Sequence, residues 1–334
     1  MKMKKFINAP ENLAPELLEG LAMAYPGKIR LDDGKIMVRA APKPQDKVAV
    51  ITLGGAGHEP ALSGFVGEGM LDASVVGDIF AAPNAVAVLA ALRKFKRDAG
   101  ILLVVLNHAG DVMSSNMAVK MAQKEGIRVR TILVAEDVSA GLDTPRADRR
   151  GLAGCIPLIK VAGAAAEEGK SLDEVAEIAE RFNSRIATLA VAMTGCTHPQ
   201  TGAPISELAD DEMEIGMGQH GEGGGGRSKI LSADETAKIM FERLSKAVGL
   251  KAGEKVFIII NGTGATSPME LAIVFRAAGL LAKGAGAELA GGIVDEILTV
   301  QEMAGFQMIL CVLDAESEKY INAKSDAPYW TCIG

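Results

Sequence analysis

Three short, predominantly apolar runs constrain this chain more than any other feature: residues 48–53, 101–106 and 129–134. Each has the length and β-branched content of a strand buried on both faces, and helix-patterned sequence separates them. Asn84 precedes a stretch over 85–96 whose alanines and leucines recur at helical spacing, and a second helical stretch runs from about 113 to 125. An Asn directly before such a run is a helix start signal. Strand, helix and strand at this interval predict right-handed βαβ units and a parallel sheet.

The pattern continues with a change of character. An alanine-rich helix is expected over 158–168, and Ser171 with Glu174 forms a capping box that opens a helix to about 185. Residues 194–226 carry prolines, many glycines and acidic clusters without periodicity, and read as long functional loops. A second capping box, Ser232 with Glu235, starts another helix. Residues 256–260 are again a buried strand. Ser267, Pro268 and Glu270 then start a helix with proline at its first position, and 308–313 closes a second sheet. The expected fold class is α/β with two α/β domains. The first (1–186) is a mainly parallel sheet flanked by helices, and the second (187–334) a smaller mixed α/β sheet.

Composition narrows the function. Acids exceed bases by a net charge of −7 and the two signs are interspersed, which argues against a nucleic-acid groove or a membrane-binding face. No apolar run approaches the ~18 residues that a bilayer span requires. The basic start, Met1 to Lys5, is followed by Asn8, Pro10 and Glu11 rather than an apolar stretch, so a signal peptide is not expected. The four cysteines, Cys155, Cys196, Cys311 and Cys332, form no C-x-x-C pair. They imply reduced thiols and a cytoplasmic location rather than a disulfide or zinc framework.

Candidate chemistry lies in glycine-rich loops. His58 sits in Gly54-Gly-Ala-Gly-His-Glu-Pro60, directly after a strand, where open α/β sheets bind ligands. No Gly-Lys-Ser/Thr follows and the G-x-G-x-x-G spacing fails, so neither a Walker loop nor a dinucleotide fingerprint is present. A glycine turn with an incidental histidine is the competing reading. Asp111 follows the second strand and reads either as a helix cap or as a general base on the same sheet edge as His58. His108 lies nearby with no readable direction. His220, in Gly218-Gln-His-Gly-Glu222, is flanked by too little side-chain bulk to be a core residue. A neutral imidazole there is a competent nucleophile toward a carbonyl carbon. His198 beside Cys196 lacks a partner pair at metal-ligand spacing and is assigned to a loop, so no metal site is expected. The segment Asn261-Gly-Thr-Gly264, between a strand and a helix start, offers a weak anion-binding signal.

Taken together, these segments resemble the substrate-binding subunit of dihydroxyacetone kinases, over nearly the whole chain. The blocks Gly54-Gly-Ala-Gly-His-Glu-Pro60, Gly77-Asp-Ile-Phe80, Gly110-Asp111 and Gly218-Gln-His-Gly-Glu222 carry the resemblance, with Arg149-Arg-Gly151 and Gly264-Ala-Thr266 as further matches. The resemblance implies that His220 adds to the carbonyl of a small ketose as a hemiaminal. Asp111 would take the proton of the terminal hydroxyl during phosphoryl transfer, and His58 would hydrogen-bond the substrate and assist the addition. Gly55 (through its backbone), Ala56, Gly57 and Leu106 would line the substrate. The nucleotide, ATP or ADP with magnesium, is expected on a separate helical subunit, with no cofactor on this chain, and the protomer is expected to form a homodimer.

Two positions depart from the family pattern. Leu106 stands where the family usually has lysine, and the later asparagine-rich loop is altered to Asn261-Gly-Thr-Gly264. Loss of a charged donor fits either a different ketose, four-carbon or branched, or weakened catalysis. The alternatives to a kinase subunit are therefore a ketose-sensing regulatory paralogue and an unrelated nucleotide-dependent α/β enzyme.

Overall fold

The computed structural model describes residues 4–224 and 226–334. These divide into two compact units, each built from separated stretches of chain. The first unit comprises Lys5–Val134, Cys155–Arg181 and Glu316–Gly334, and the second includes Ala135–Gly154 and Phe182–Ala315. A single boundary near 186 does not describe this division. Periodicity reports what each segment forms locally but not to which sheet the chain returns.

The first unit opens with α1 (Leu13–Ala24), β1 (Ile29–Asp32) and β2 (Ile36–Arg39), then β3 (Ala49–Ala56) and β4 (Ala73–Ile79). It continues through α2 (Ala85–Lys94), β5 (Ile101–Leu106), α3 (Ala109–Lys124), β6 (Val129–Val134), α4 (Cys155–Glu168) and α5 (Leu172–Asn183). Its six strands run in the order β1-β2-β4-β3-β5-β6. The pairs β3–β4, β3–β5 and β5–β6 are parallel, while β1–β2 and β2–β4 are antiparallel. Ala49, Ile51 and Leu53 of β3 and Ile101, Leu103 and Val105 of β5 pack with Val88, Leu92, Ala118 and Ala122 of α2 and α3. Alternate residues such as Val50, Leu102 and Val104 turn to the other face, where α4 packs. Asn84 caps α2 by accepting the Ala87 N–H at 3.0 Å, as its position predicted.

The second unit holds β7 (Ile186–Ala192), β8 (Glu212–Ile215), β9 (Arg227–Lys229), α6 (Ala233–Val248), β10 (Lys255–Gly262), α7 (Pro268–Gly284), β11 (Glu288–Asp295) and β12 (Gly305–Leu313). Its sheet also has six strands, in the order β11-β10-β12-β7-β8-β9. Only β10–β11 is parallel, so the sheet is mixed. The run at 308–313 does not close the sheet. It lies inside β12, which is hydrogen-bonded on both sides, to β10 and β7. Both Ser232 and Ser267 form full capping boxes at the starts of α6 and α7. After β12 the chain returns to the first unit through α8 (Ala315–Ile321) and the hairpin β13 (Ser325–Ala327) and β14 (Trp330–Cys332). Among the described residues, no helix is long and apolar enough to cross a membrane.

Candidate functional site

In the first unit, the parallel pairing of β3, β4 and β5 puts their carboxyl ends on one edge. Residues 57–60, the Gly77-to-Phe80 block and the start of α3 therefore gather where ligands of such sheets bind. The structure thus places Gly55, Ala56, Gly57, His58, Leu106 and Asp111 together on that edge.

Two loops there are locked together by close backbone approach. The Phe80 N–H donates to the Ala56 carbonyl at 2.8 Å, and the Phe80 ring tilts over the His58 imidazole with centroids 4.9 Å apart. A Cβ at Gly77 would collide with the carbonyl oxygen of Ala81, and one at Gly55 would lie 2.7 Å from the Ala81 nitrogen. The glycines of both blocks are thus fixed by the crossing of main chains. His58 is buried, at 6% exposure, which an incidental surface histidine would not be. Beside it, the Glu59 carboxylate accepts the Gly57 N–H at 3.0 Å. Burial pushes the Glu59 carboxyl above the ordinary carboxylate range, against the pull of its backbone hydrogen bonds.

Asp111 is not a helix cap. The N-cap of α3 is His108, whose side chain makes no capping bond, and Asp111 lies one turn inside, buried at 8% exposure. Helix α3 starts four residues earlier than its periodicity suggested, because Ala109 and Gly110 carry no apolar signal. A carboxylate in the first helical turn faces the positive end of the helix dipole. Leu106 ends β5 as a buried apolar residue, 5% exposed.

In the second unit, the loop after β8 carries His220. The Gly218 N–H donates to the Glu222 carbonyl at 2.7 Å and the Gly221 N–H to the Gly218 carbonyl at 3.1 Å, which closes a tight turn under the imidazole. The Glu222 carboxylate turns back on His220. It accepts the His220 backbone N–H at 2.9 Å, and its other oxygen lies 3.2 Å from Nδ1. Burial works to raise the Glu222 carboxyl, but the His220 ring and the backbone N–H groups outweigh it and hold it down to about 2. An ionised carboxylate only accepts, so Nδ1 carries a proton, and in the neutral ring the lone pair is on Nε2. The His220 side chain is 29% exposed rather than packed into the interior.

Arg150 braces this loop. Its Nε donates to Asp137 Oδ2 at 2.7 Å, and one terminal nitrogen donates to Ser139 Oγ at 2.8 Å and to the Gly216 carbonyl at 2.7 Å. The other reaches the Glu222 carbonyl at 3.3 Å. A Cβ at Gly218 would run into both Arg150 and the Glu222 carboxylate, so the loop is glycine because the guanidinium fills its hollow. The sequence flagged Arg149-Arg-Gly151 without assigning a role. Asp137 and Ser139 escaped notice altogether, since a short acidic segment after a strand carries no distinguishing pattern.

The preceding residue, Glu136, pins the same segment. Its carboxylate accepts the N–H groups of Leu152 at 3.0 Å and Gly154 at 2.9 Å and the Thr188 hydroxyl at 3.1 Å. Complete burial pushes this carboxyl up to about 7, although its backbone hydrogen bonds and Arg146 draw it down. Because the folded value lies above the unfolded one, the native state holds the proton more tightly. Its contribution is fully present below about pH 4.5 and is lost as pH rises through about 7, by about 3 kcal/mol. Thermal unfolding followed across that range is expected to show this decline, and Glu136→Gln to flatten it.

Two other sequence signals prove structural. His198 sits in a turn, its Nδ1 accepting the Gln200 N–H at 3.2 Å. Asn261 is buried and bonded to the backbone of Ile297 and Leu298, and the start of α7 is occupied by the Glu270 carboxylate of its own capping box.

The chain is similar to proteins of known family along almost its entire length. The Dak1 domain family matches residues 19–329. The dihydroxyacetone-binding subunit DhaK of PTS-dependent dihydroxyacetone kinase 1 from Listeria innocua is 38% identical over 320 residues, 96% of this chain and 97% of that protein. Among solved structures, the dihydroxyacetone kinase operon co-activator Dha-DhaQ superposes with a TM-score of 0.90 at 31% identity, covering 95% of this chain and 98% of that one. The dihydroxyacetone kinase from C. freundii in complex with AMP-PNP and Mg2+ also gives 0.90 at 31% identity, covering 98% of this chain and 61% of that one. The chain thus spans less than two thirds of that kinase.

Proposed function

The chain belongs to the Dak1 domain family, and from that premise we propose that it is the substrate-binding subunit of a short-chain ketose kinase. The substrate is dihydroxyacetone or a four-carbon or branched ketose, and the Listeria relative's name supports that class. The observation that carries the chemistry is the Glu222 carboxylate against His220 Nδ1. Held in that tautomer, Nε2 presents its lone pair to the ketone carbon. As the N–C bond forms, the carbonyl π pair becomes an alkoxide that takes up a proton, and Nδ1 loses its own. The hemiaminal keeps every atom of the ketose. Covalent addition selects carbonyl compounds over polyols, which hydrogen bonding to hydroxyls alone does poorly. Asp111 then removes the proton of a terminal hydroxyl as its oxygen attacks the γ-phosphorus, with His58 holding the substrate.

The phosphoryl donor is a substrate carried by a partner. On this chain the glycine loop lacks a phosphate-binding lysine, and the start of α7 is capped by its own glutamate, so neither suits a nucleotide. A helical nucleotide-binding subunit, and a homodimer of this chain, complete the proposed assembly. Exposed Met113, Met117 and Met121, one turn apart along α3, offer an adaptable apolar face for a covering protein.

The test is intact mass after incubation with candidate ketoses. The wild-type chain is expected to gain the full mass of one ketose, and His220→Ala none. Retention of the adduct in the alanine variant removes His220 from this role. A second reading is a ketose sensor without phosphoryl transfer, which Leu106 in place of the family lysine and the likeness to the operon co-activator both favour. It keeps the adduct but yields no sugar phosphate with any nucleotide-bearing partner.

A further inference from the structure

Away from these loops, the side chains of the second unit leave a cavity of about 270 Å3 above the sheet, between the first turns of α6 and α7. Its walls are apolar, with Val191, Met213, Phe306 and Val274 inside and Ile230 and Ile273 at the rim, the last two 45% and 44% exposed. Protein interiors are normally close-packed, and an apolar hollow of this size is costly to retain. Three polar residues interrupt the apolar lining: Thr236, Thr266 and Glu270. Thr236, one turn into α6, is only 5% exposed, and among the described residues no partner hydrogen-bonds its hydroxyl. Thr266 also lines the hollow, but its hydroxyl is committed, donating to the Gly305 carbonyl and accepting the Gly305 N–H.

The charges around the opening select the head group. Glu270 lines the cavity, and its carboxyl is held below the ordinary range by the Ser267 hydroxyl and N–H, so it is ionised at neutral pH. Asp234 and Glu235 add two more carboxylates in the first turn of α6, with Arg276 3.6 Å from Asp234. Fatty acids and phosphates are disfavoured by this field. A neutral hydroxyl, which donates and accepts, is not.

We propose that this cavity binds a neutral aliphatic molecule bearing a single hydroxyl, its chain along the apolar wall and its hydroxyl paired with Thr236. The volume suits roughly nine or ten non-hydrogen atoms at about 30 Å3 each, which is the size of octan-1-ol. The site is independent of the ketose chemistry.

The experiment titrates the full chain with octan-1-ol and, separately, with octanoate, read by saturation-transfer NMR and calorimetry. Burial of about seven methylenes supports a Kd near ~0.1 mM for the alcohol. Octanoate is expected to bind at least about tenfold more weakly, because Glu270 opposes its charge. Thr236→Val, which keeps the shape and removes the hydroxyl, should weaken octan-1-ol about fivefold. Ile273→Trp, a change at an exposed position that folding tolerates, should obstruct the mouth and weaken it by at least about tenfold. No binding of octan-1-ol at about 1 mM, equal binding by both variants and wild type, or tighter binding of octanoate would each overturn the proposal. So would unchanged alcohol binding with an altered oligomeric mass in Ile273→Trp, which would assign the rim to a second copy of the chain. Ketose adduct formation should be untouched in both variants.

Discussion

Asp111→Asn is expected to slow phosphoryl transfer by about 10²–10⁴-fold while leaving the ketose adduct at its wild-type level. The side chain is buried in the first turn of α3, 8% exposed, and asparagine fills the same space with the same helical geometry. What it cannot do is accept a proton from the attacking hydroxyl. If the anchoring imidazole and the base are separate groups, this variant separates them: intact mass reports full adduct, and turnover with a nucleotide-loaded partner collapses. Turnover near the wild-type rate would remove Asp111 from the role of base. The sensor reading makes a different prediction, since the wild-type chain itself would then show adduct without turnover. Leu106 is the buried end of β5, where we propose that a charged donor of the family pattern is missing. Leu106→Lys, which supplies one, is therefore a natural companion variant for the same assay.

The parts of this fold that were legible in sequence are those set by contacts within a few residues. The strand at 101–106, the Asn84 cap and the serine–glutamate boxes at Ser171, Ser232 and Ser267 all depend on local apolar runs or i to i+3 partners. Other elements lacked such a signal. β4 contains Gly77 and Asp78, which interrupt its apolar run. β7 is rich in alanine, which weakens its strand signal, and β8 has only four residues within a glycine-rich segment. Pairing order is less legible still: β12, last in sequence among the strands of its sheet, lies inside that sheet because β10 and β7 both pair with it. The candidate site divides in the same way. His58, Asp111 and His220 were singled out as candidates from the glycine-containing segments around them. Their supports were not, because Phe80 over His58 and Arg150 under the His220 loop are long-range contacts that no spacing rule encodes.

Arg150 is where that hidden support should have its largest measurable effect. Its partner Asp137 is 1% exposed and otherwise held by the Ser139 N–H and hydroxyl at 2.9 Å. Arg150→Met removes the guanidinium and leaves a buried carboxylate without its counter-charge, at a cost of about 3–5 kcal/mol. For a unit of this size that lowers the melting temperature by roughly 10 °C. Adding Asp137→Asn to the same variant removes the stranded charge and should recover part of the loss, which a purely steric effect of methionine would not allow. Arg150→Lys makes a finer distinction. Lysine keeps the positive charge for Asp137, but a single ammonium cannot span Asp137, Gly216 and Glu222 as the planar fork does. Its stability should therefore fall less than that of the methionine variant, while the rate of adduct formation falls by about tenfold, because the turn that aims Nε2 has lost its brace. Equal adduct rates in the lysine variant and the wild type would mean that Glu222 alone positions the imidazole, and that Arg150 stabilises the unit without shaping its chemistry.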